Sequence, residues 1–260
     1  MNEPPASFPD VQPGAPPPGP ISLRLPSAPP RVAYVILGLT IFVYLLQLGT
    51  KFITGYDLPL MLGAKSGELI RAGQVWRLIT PVLLHGSLWH IGFNMYALFA
   101  LGSGLERRFG HFRFLALYLL AGFAGNVLSF LFTNAVSIGA STSIFGLIAA
   151  EGVFLYQNRK LFGAEAKRAI GNVVAVAAVN LFIGFSSGGM IDNWGHIGGL
   201  FGGLIFAWFG GPLWGVDGVY PLLRLVDQRA RRDAFIGAAV TLVIFGGLAL
   251  LGMASIIAPK

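Results

Sequence analysis

The sequence predicts an all-α membrane protein that crosses the bilayer several times, and three observations carry the prediction. Hydrophobic residues fill 55% of the 260 positions and charged residues only 11%, with a mean hydropathy of +0.70, which leaves too little polar surface to coat a soluble globule. Apolar runs recur at 33–54, 87–105, 112–133, 141–157, 169–187, 194–212 and 235–257, each near the ~20 residues that a hydrocarbon core of ~30 Å requires of a helix. Inside these runs fall Gly102, Gly104, Gly122, Gly125, Gly171, Gly184 and Gly202. Such residues weaken a soluble helix but let membrane helices approach closely. Seven tightly bundled spans are expected.

Taken in order, residues 1–30 are crowded with proline (Pro4, Pro5, Pro9, Pro13, Pro16, Pro17, Pro18, Pro20). They cannot bury enough apolar surface to fold, and a disordered tail is expected. The tail lacks the apolar core and small-residue cleavage site of a signal peptide, so the run at 33–54 should be kept as a span. Between the first two spans, residues 55–86 mix apolar and charged side chains in a way suited to the membrane interface, with Trp76 and Arg77 as anchors. Orientation follows from Lys and Arg near the helix ends. A cytoplasmic N-terminus puts Arg24, Arg31, Arg107, Arg108, Arg113, Arg159, Lys160, Lys167, Arg168, Arg224, Arg229, Arg231 and Arg232 inside, and only Lys51, Lys65, Arg71, Arg77 and Lys260 outside. The C-terminus then lies outside, and the second, fourth and sixth spans start near the outer surface. The chain divides into the tail 1–30, a transmembrane domain 31–212, and residues 213–260, which supply a cytoplasmic loop and an additional C-terminal transmembrane helix.

Several function classes are excluded. The chain has no cysteine, which removes disulfides, zinc thiolates and thiol catalysis. The net charge of +7 is scattered through short loops and forms no basic stripe with interleaved aromatics, so no nucleic acid is expected as partner. No H-E-x-x-H helix exists, and the step from His85 to His90 places the two rings on different faces, so no metal is expected. A transporter would want inverted repeats and paired intramembrane charges, and neither is visible.

Polar side chains at membrane depth are costly, which makes them functional suspects. His85, His90 and His196 fall at the outer ends of the second and sixth spans, and Ser141 at the outer end of the fourth. A serine hydroxyl becomes a nucleophile when a base takes its proton, and imidazole titrates in the right range. On the sixth span His196, Gly199 and Gly203 share one face, and on the fourth Gly146 and Ala150 form a small-xxx-small pair. Packing of these two faces would let Ser141 and His196 touch. A helix start at Ser141 offers unpaired amides, and His90 and Asn94 share a face of the second span, so together they make a plausible site for a developing oxyanion.

The chain resembles the rhomboid intramembrane serine proteases. The resemblance covers about residues 33–212 and rests on Trp76-Arg77, His85 to Met95 (HGSLWHIGFNM), Leu105 to Gly110 (LERRFG), Gly139 to Gly146 (GASTSIFG) and Gly195 to Gly203 (GHIGGLFGG), in family order. It implies Ser141 as nucleophile and His196 as base of a dyad without a required acid, with His90, Asn94 and the Ser141 amide stabilising the oxyanion. It implies Phe145 as the aromatic packed on the catalytic histidine. The implied fold is a six-helix transmembrane core, here with a seventh C-terminal helix, holding a wet cavity open to the outside. The implied substrates are transmembrane segments of other proteins. Separately from the resemblance, the lack of a transit peptide leads to the expectation of a prokaryotic plasma membrane. No cofactor is implied. Thr142 departs from the family, which usually has Gly after the nucleophile. That departure motivates the alternative of a catalytically inactive rhomboid-like protein that binds membrane clients.

Other polar residues have plainer readings. His85 is expected to tie loop backbone, and His111 is given no role. Arg77 and Glu106 read as structural. Asp192 precedes His196 by four residues but is expected in the wet loop rather than in a triad. Glu151 is either near the inner interface or in a buried pair. Asn126, Asn172 and Asn180 are expected to bond between helices.

Overall fold

The computed structural model describes residues 26–220 and 222–255. The expected tail falls mostly on residues 1–25, outside the described residues; 26–30 follow an irregular path into α1 (Arg31–Thr54). The interfacial segment that follows contains α2 (Leu58–Gly63), α3 (Gly67–Arg71) and two 3-10 turns, Val75–Leu78 and Thr80–Leu83. α4 (Leu88–Ala97) passes through a π-helical turn (Leu98–Gly102) into α5 (Ser103–Phe109). Then come α6 (His111–Phe132), α7 (Ser141–Gln157), the single turn α8 (Arg159–Phe162), α9 (Ala164–Ser186) and α10 (Asn193–Gly210). A two-stranded antiparallel hairpin, β1 (Trp214–Asp217) and β2 (Arg224–Asp227), leads to α11 (Arg231–Ala254).

Among the described helices, α1, α6, α9 and α11 are long and apolar enough to cross a membrane by themselves. The other expected spans fall short for physical reasons. α7 has 17 residues, α10 is diluted by six glycines, Asn193 and His196, and the α4–α5 helix is interrupted and carries Glu106, Arg107 and Arg108. Of these, α7 is mostly buried and α10 buries its glycine faces, whereas α4 leaves Trp89, Phe93 and Tyr96 exposed.

α10 is the central helix because its two glycine faces admit two neighbours. A Cβ on Gly199 or Gly203 would run into the α7 backbone at Thr142 and Gly146, and one on Gly198 would stand 2.5 Å from the Ala124 carbonyl of α6. Gly202 similarly admits Ala124, and Gly146 admits Ala121. The α6, α7 and α10 backbones thus meet with almost no side chain between them. α11 closes on the other flank, where Gly237 faces the Phe206 carbonyl and Gly210. α9 packs mainly on α7, burying only Ala166 and Gly184.

Charged groups fasten the ends. The buried Glu106 carboxylate accepts from the Val32 and Ala33 amides at 2.8 and 2.7 Å and so caps the start of α1. Arg77 donates to the Ala64 and Met61 carbonyls, each at 2.7 Å, and to Gln74, while Trp76 donates to Leu62, which folds the interfacial segment onto itself. Arg229 donates to the last carbonyls of α10 at Trp208 and Gly211. The hairpin lies where a loop is expected from sequence; its strands are four residues each, too short for periodicity to reveal.

Candidate active site

The bend before α7 brings Ser141 into position. Gly139 adopts φ +126°, and its amide donates to the Pro81 carbonyl at 2.9 Å, tying the bend to the second 3-10 turn. A side chain at 139 would be strained by that φ and would stand 2.7 Å from Nε2 of His90. Ala140 is the N-cap and its side chain supplies no capping bond, so Ser141 begins the helix with free amides around it.

The opposing helix begins at Asp192, whose carboxylate accepts from the Gly195 amide at 2.9 Å and caps α10. One turn on, His196 is buried, and its Nε2 lies 2.9 Å from Oγ of Ser141. The ring stacks on Phe145 at 4.1 Å between centroids with 13° between planes. For Nε2 to accept from the serine hydroxyl, Nδ1 must carry the ring proton; that tautomer is inferred from the bond. Nδ1 has no partner among the described residues.

The remaining site residues come from α4 and the loop before it. His90 sits against Gly139 and packs edge to face on His85 at 4.9 Å. Asn94, one turn further, is buried and donates one N–H of its amide back to the His90 carbonyl at 3.0 Å, which holds the side chain along its own helix and leaves the second N–H. His85 bonds to backbone as expected: its Nε2 accepts from the Ala140 amide at 3.4 Å. Burial first, then the neighbouring His90 ring, pushes the His85 pKa down to about 3, and the neutral imidazole can accept. A cleft of about 530 Å³ opens beside this group, with His90, Asp192 and Trp194 on its walls.

Asp192 does more than the wet-loop reading foresees. Its second oxygen accepts from Ser137, at 2.6 Å, and from Ser129, so one carboxylate joins the end of α6, the bend before α7 and the start of α10. Lys65 was not foreseen as structural either. It is fully buried, and its ammonium donates to the Ser129, Thr133 and Ala135 carbonyls. Burial pushes its pKa down to about 8, against the opposing pull of Asp192. Gln47, inside the apolar run of α1, bonds the His85 backbone in both directions, at 3.0 and 3.2 Å. A glutamine amid an apolar run was the available signal, and neither its partner nor that of Lys65 is close in sequence.

Thr142 is buried, with its side chain toward α6 and α10 rather than toward Ser141. It fills the space left by Gly125, where a Cβ would stand 2.6 Å from that of Thr142. Glu151 pairs with Arg108, in the last turn of α5, at 2.8 and 2.5 Å; both side chains are part-buried, so the residue is paired without being a fully buried pair. His111, given no role from sequence, contacts Glu106 through Nδ1 at 2.5 Å. Of the asparagines, Asn126 reaches the Leu78 carbonyl in the interfacial segment. Asn180, however, is exposed and donates to Val176 in its own helix, because α9 has no neighbour on that face.

The family model described as the Rhomboid domain matches residues 72–213, more than half of the chain. The chain is 40% identical over 179 residues to "Rhomboid protease GluP" of Bacillus subtilis (strain 168), covering 68% of this chain and 34% of that protein. It is 34% identical over 158 residues to "RHOMBOID-like protein 9, chloroplastic" of Arabidopsis thaliana, covering 60% and 36%. It is 32% identical over 197 residues to "Rhomboid-like protease 1" of Toxoplasma gondii, covering 66% of each. The chain therefore spans about a third of the length of the first two relatives and about two thirds of the third.

Proposed function

The chain belongs to the rhomboid family, and we propose that it is an intramembrane serine endopeptidase that hydrolyses peptide bonds in or near transmembrane segments of other membrane proteins. The observation that carries the proposal is the 2.9 Å approach of Ser141 Oγ to His196 Nε2, between side chains 55 positions apart on different helices. In the proposed reaction, Ser141 Oγ attacks the scissile carbonyl carbon as its proton passes to Nε2. The tetrahedral intermediate then collapses, the peptide C–N bond breaks, and His196 returns the proton to the leaving amine. Water, deprotonated by the same nitrogen, hydrolyses the resulting ester. Stacking on Phe145 limits rotation of the imidazole, which supports a dyad whose ring needs no acid to orient it.

The oxyanion would take hydrogen bonds from the Ser141 amide, from His90 and from Asn94. Asn94 donates one N–H of its amide to the His90 carbonyl and keeps the second N–H for the oxyanion. The two-sided packing of α10 supports six core spans, α1, α4–α5, α6, α7, α9 and α10, with α11 as an added seventh. The positive-inside bias supports an orientation with residues 1–30 cytoplasmic, the domain 31–212 spanning, and the site near the outer surface, in what is expected to be a prokaryotic plasma membrane. The alternative, a client-binding protein that does not cut, rests on Thr142; the fit of its side chain against Gly125 supports the protease reading.

Detergent-purified protein should cleave a model transmembrane substrate and react with a fluorophosphonate at Ser141. Ser141→Ala and His196→Ala should each lower cleavage by about 10⁴-fold or more, since the members of such a unit act together. Both should leave the melting temperature within a few degrees of the parent. Cleavage by either variant at the parental rate would remove the dyad.

A further inference from the structure

At the end of the bundle opposite Ser141, a cavity of about 670 Å³ lies between the first turns of α6 and α11. Arg113, Arg229 and Arg231 line it together with one carboxylate, Asp227. Asp227 is engaged: it pairs with Arg113 and also accepts from the Leu213 and Arg229 amides at 3.0 Å. Arg229 donates to the carbonyls of Trp208 in α10 and of Gly211 after it, and the Asp233 and Asp227 carboxylates offset part of its charge, so three guanidiniums stand against two carboxylates. Arg231 is exposed and makes no side-chain hydrogen bond among the described residues. The wall is therefore cationic, with one guanidinium free to close on an anion.

The mouth is apolar. Phe112 and Phe235, 54% and 59% exposed, face each other at 5.3 Å across the gap between α6 and α11. Both helices are long and apolar enough to cross the bilayer, and Phe112 is the second residue of α6 and Phe235 the fifth of α11, so this mouth opens at the level where headgroups meet acyl chains. An inorganic anion would gain nothing from the aromatic pair. A diacyl phospholipid uses both parts: its phosphate meets the arginines, and its glycerol backbone and upper acyl carbons lie over the rings.

We propose that this cavity is a binding site for an anionic phospholipid, with the phosphate held by Arg231 beside Arg229 and Arg113. The site is separate from the Ser141 region and does not depend on the proposed proteolysis.

The full chain in neutral detergent, titrated with phosphatidylglycerol and separately with phosphatidylcholine, tests this by native mass spectrometry of bound lipid. Phosphatidylglycerol should bind the parent more tightly, and Arg231→Gln should weaken it roughly fivefold, the value of one cationic side chain near an anionic headgroup. Phe235→Ala should weaken it as well. Arg159→Gln, elsewhere in the chain, should not. Equal binding of the two lipids, an unchanged Arg231→Gln, or an equal loss in Arg159→Gln would overturn the site. Inorganic phosphate at millimolar concentration should not displace the lipid, and displacement would show a simple anion pocket instead. Lipid binding is read without a peptide substrate, and Ser141→Ala should retain it, so failure of this site and failure of the protease reading are distinguishable.

Discussion

At the scale of single residues, the position after Ser141 is decided by its neighbour on another helix. Thr142 faces α6 and α10, where Gly125 and Gly195 leave room for its side chain. Adding a methyl at Gly125 places it 2.6 Å from the Thr142 Cβ and 2.6 Å from the Gly195 carbonyl. Gly125→Ala should therefore cost roughly 1–3 kcal/mol, the usual range for overpacking. Thr142→Gly clears one of these two obstructions, so the double variant should recover part of the loss. Thermal unfolding of the four proteins closes the cycle, and strictly additive effects would mean that the two residues do not share the space. Thr142→Gly alone should keep or raise activity, because its side chain points away from the Ser141 hydroxyl.

At the scale of elements, the site depends on how closely α7 and α10 approach. Gly199 and Gly203 face the α7 backbone, and a side chain on either must push the helices apart. An imidazole carried with α10 would leave hydrogen-bond reach of Ser141 after a shift of about 1 Å. Gly203→Ala should thus lower both the melting temperature and the cleavage rate, by at least tenfold for the latter. Gly246→Ala on α11, where an added Cβ meets nothing within 4 Å, should change neither. Equal behaviour of the two variants would separate activity from this packing. The glycines are readable as small-residue faces in sequence, but which neighbour each face admits is not, since Gly198 and Gly199 are adjacent and serve different helices.

At the scale of the whole molecule, the proposed topology puts the two ends of the chain on opposite sides of the membrane. A fluorescent protein that folds only in the cytoplasm should be bright at the N-terminus and dark at the C-terminus. An alkaline phosphatase fused after Lys260 should be active; a bright C-terminus beside a bright N-terminus would mean an even number of spans, and a dark N-terminus with a bright C-terminus an inverted orientation. The Lys and Arg bias gives this orientation, yet not every basic residue reports topology. Lys65 counts among the outer charges but is buried on the end of α6. Arg229 closes the end of α10, while Arg113 pairs with Asp227 and donates to the Arg229 carbonyl.

The helical membrane class, the extents of most helices and the candidacy of Ser141, His196 and His90 were legible in the sequence, because hydrophobic run length and residue chemistry are local properties. The distance between Ser141 and His196, the three-way grip of Asp192, the turn of Asn94 onto its own helix and the Thr142–Gly125 fit belong to tertiary structure. Each is a contact between segments far apart in the chain or a choice among rotamers. Only the docking of α6, α7 and α10 fixes which polar groups share one small space.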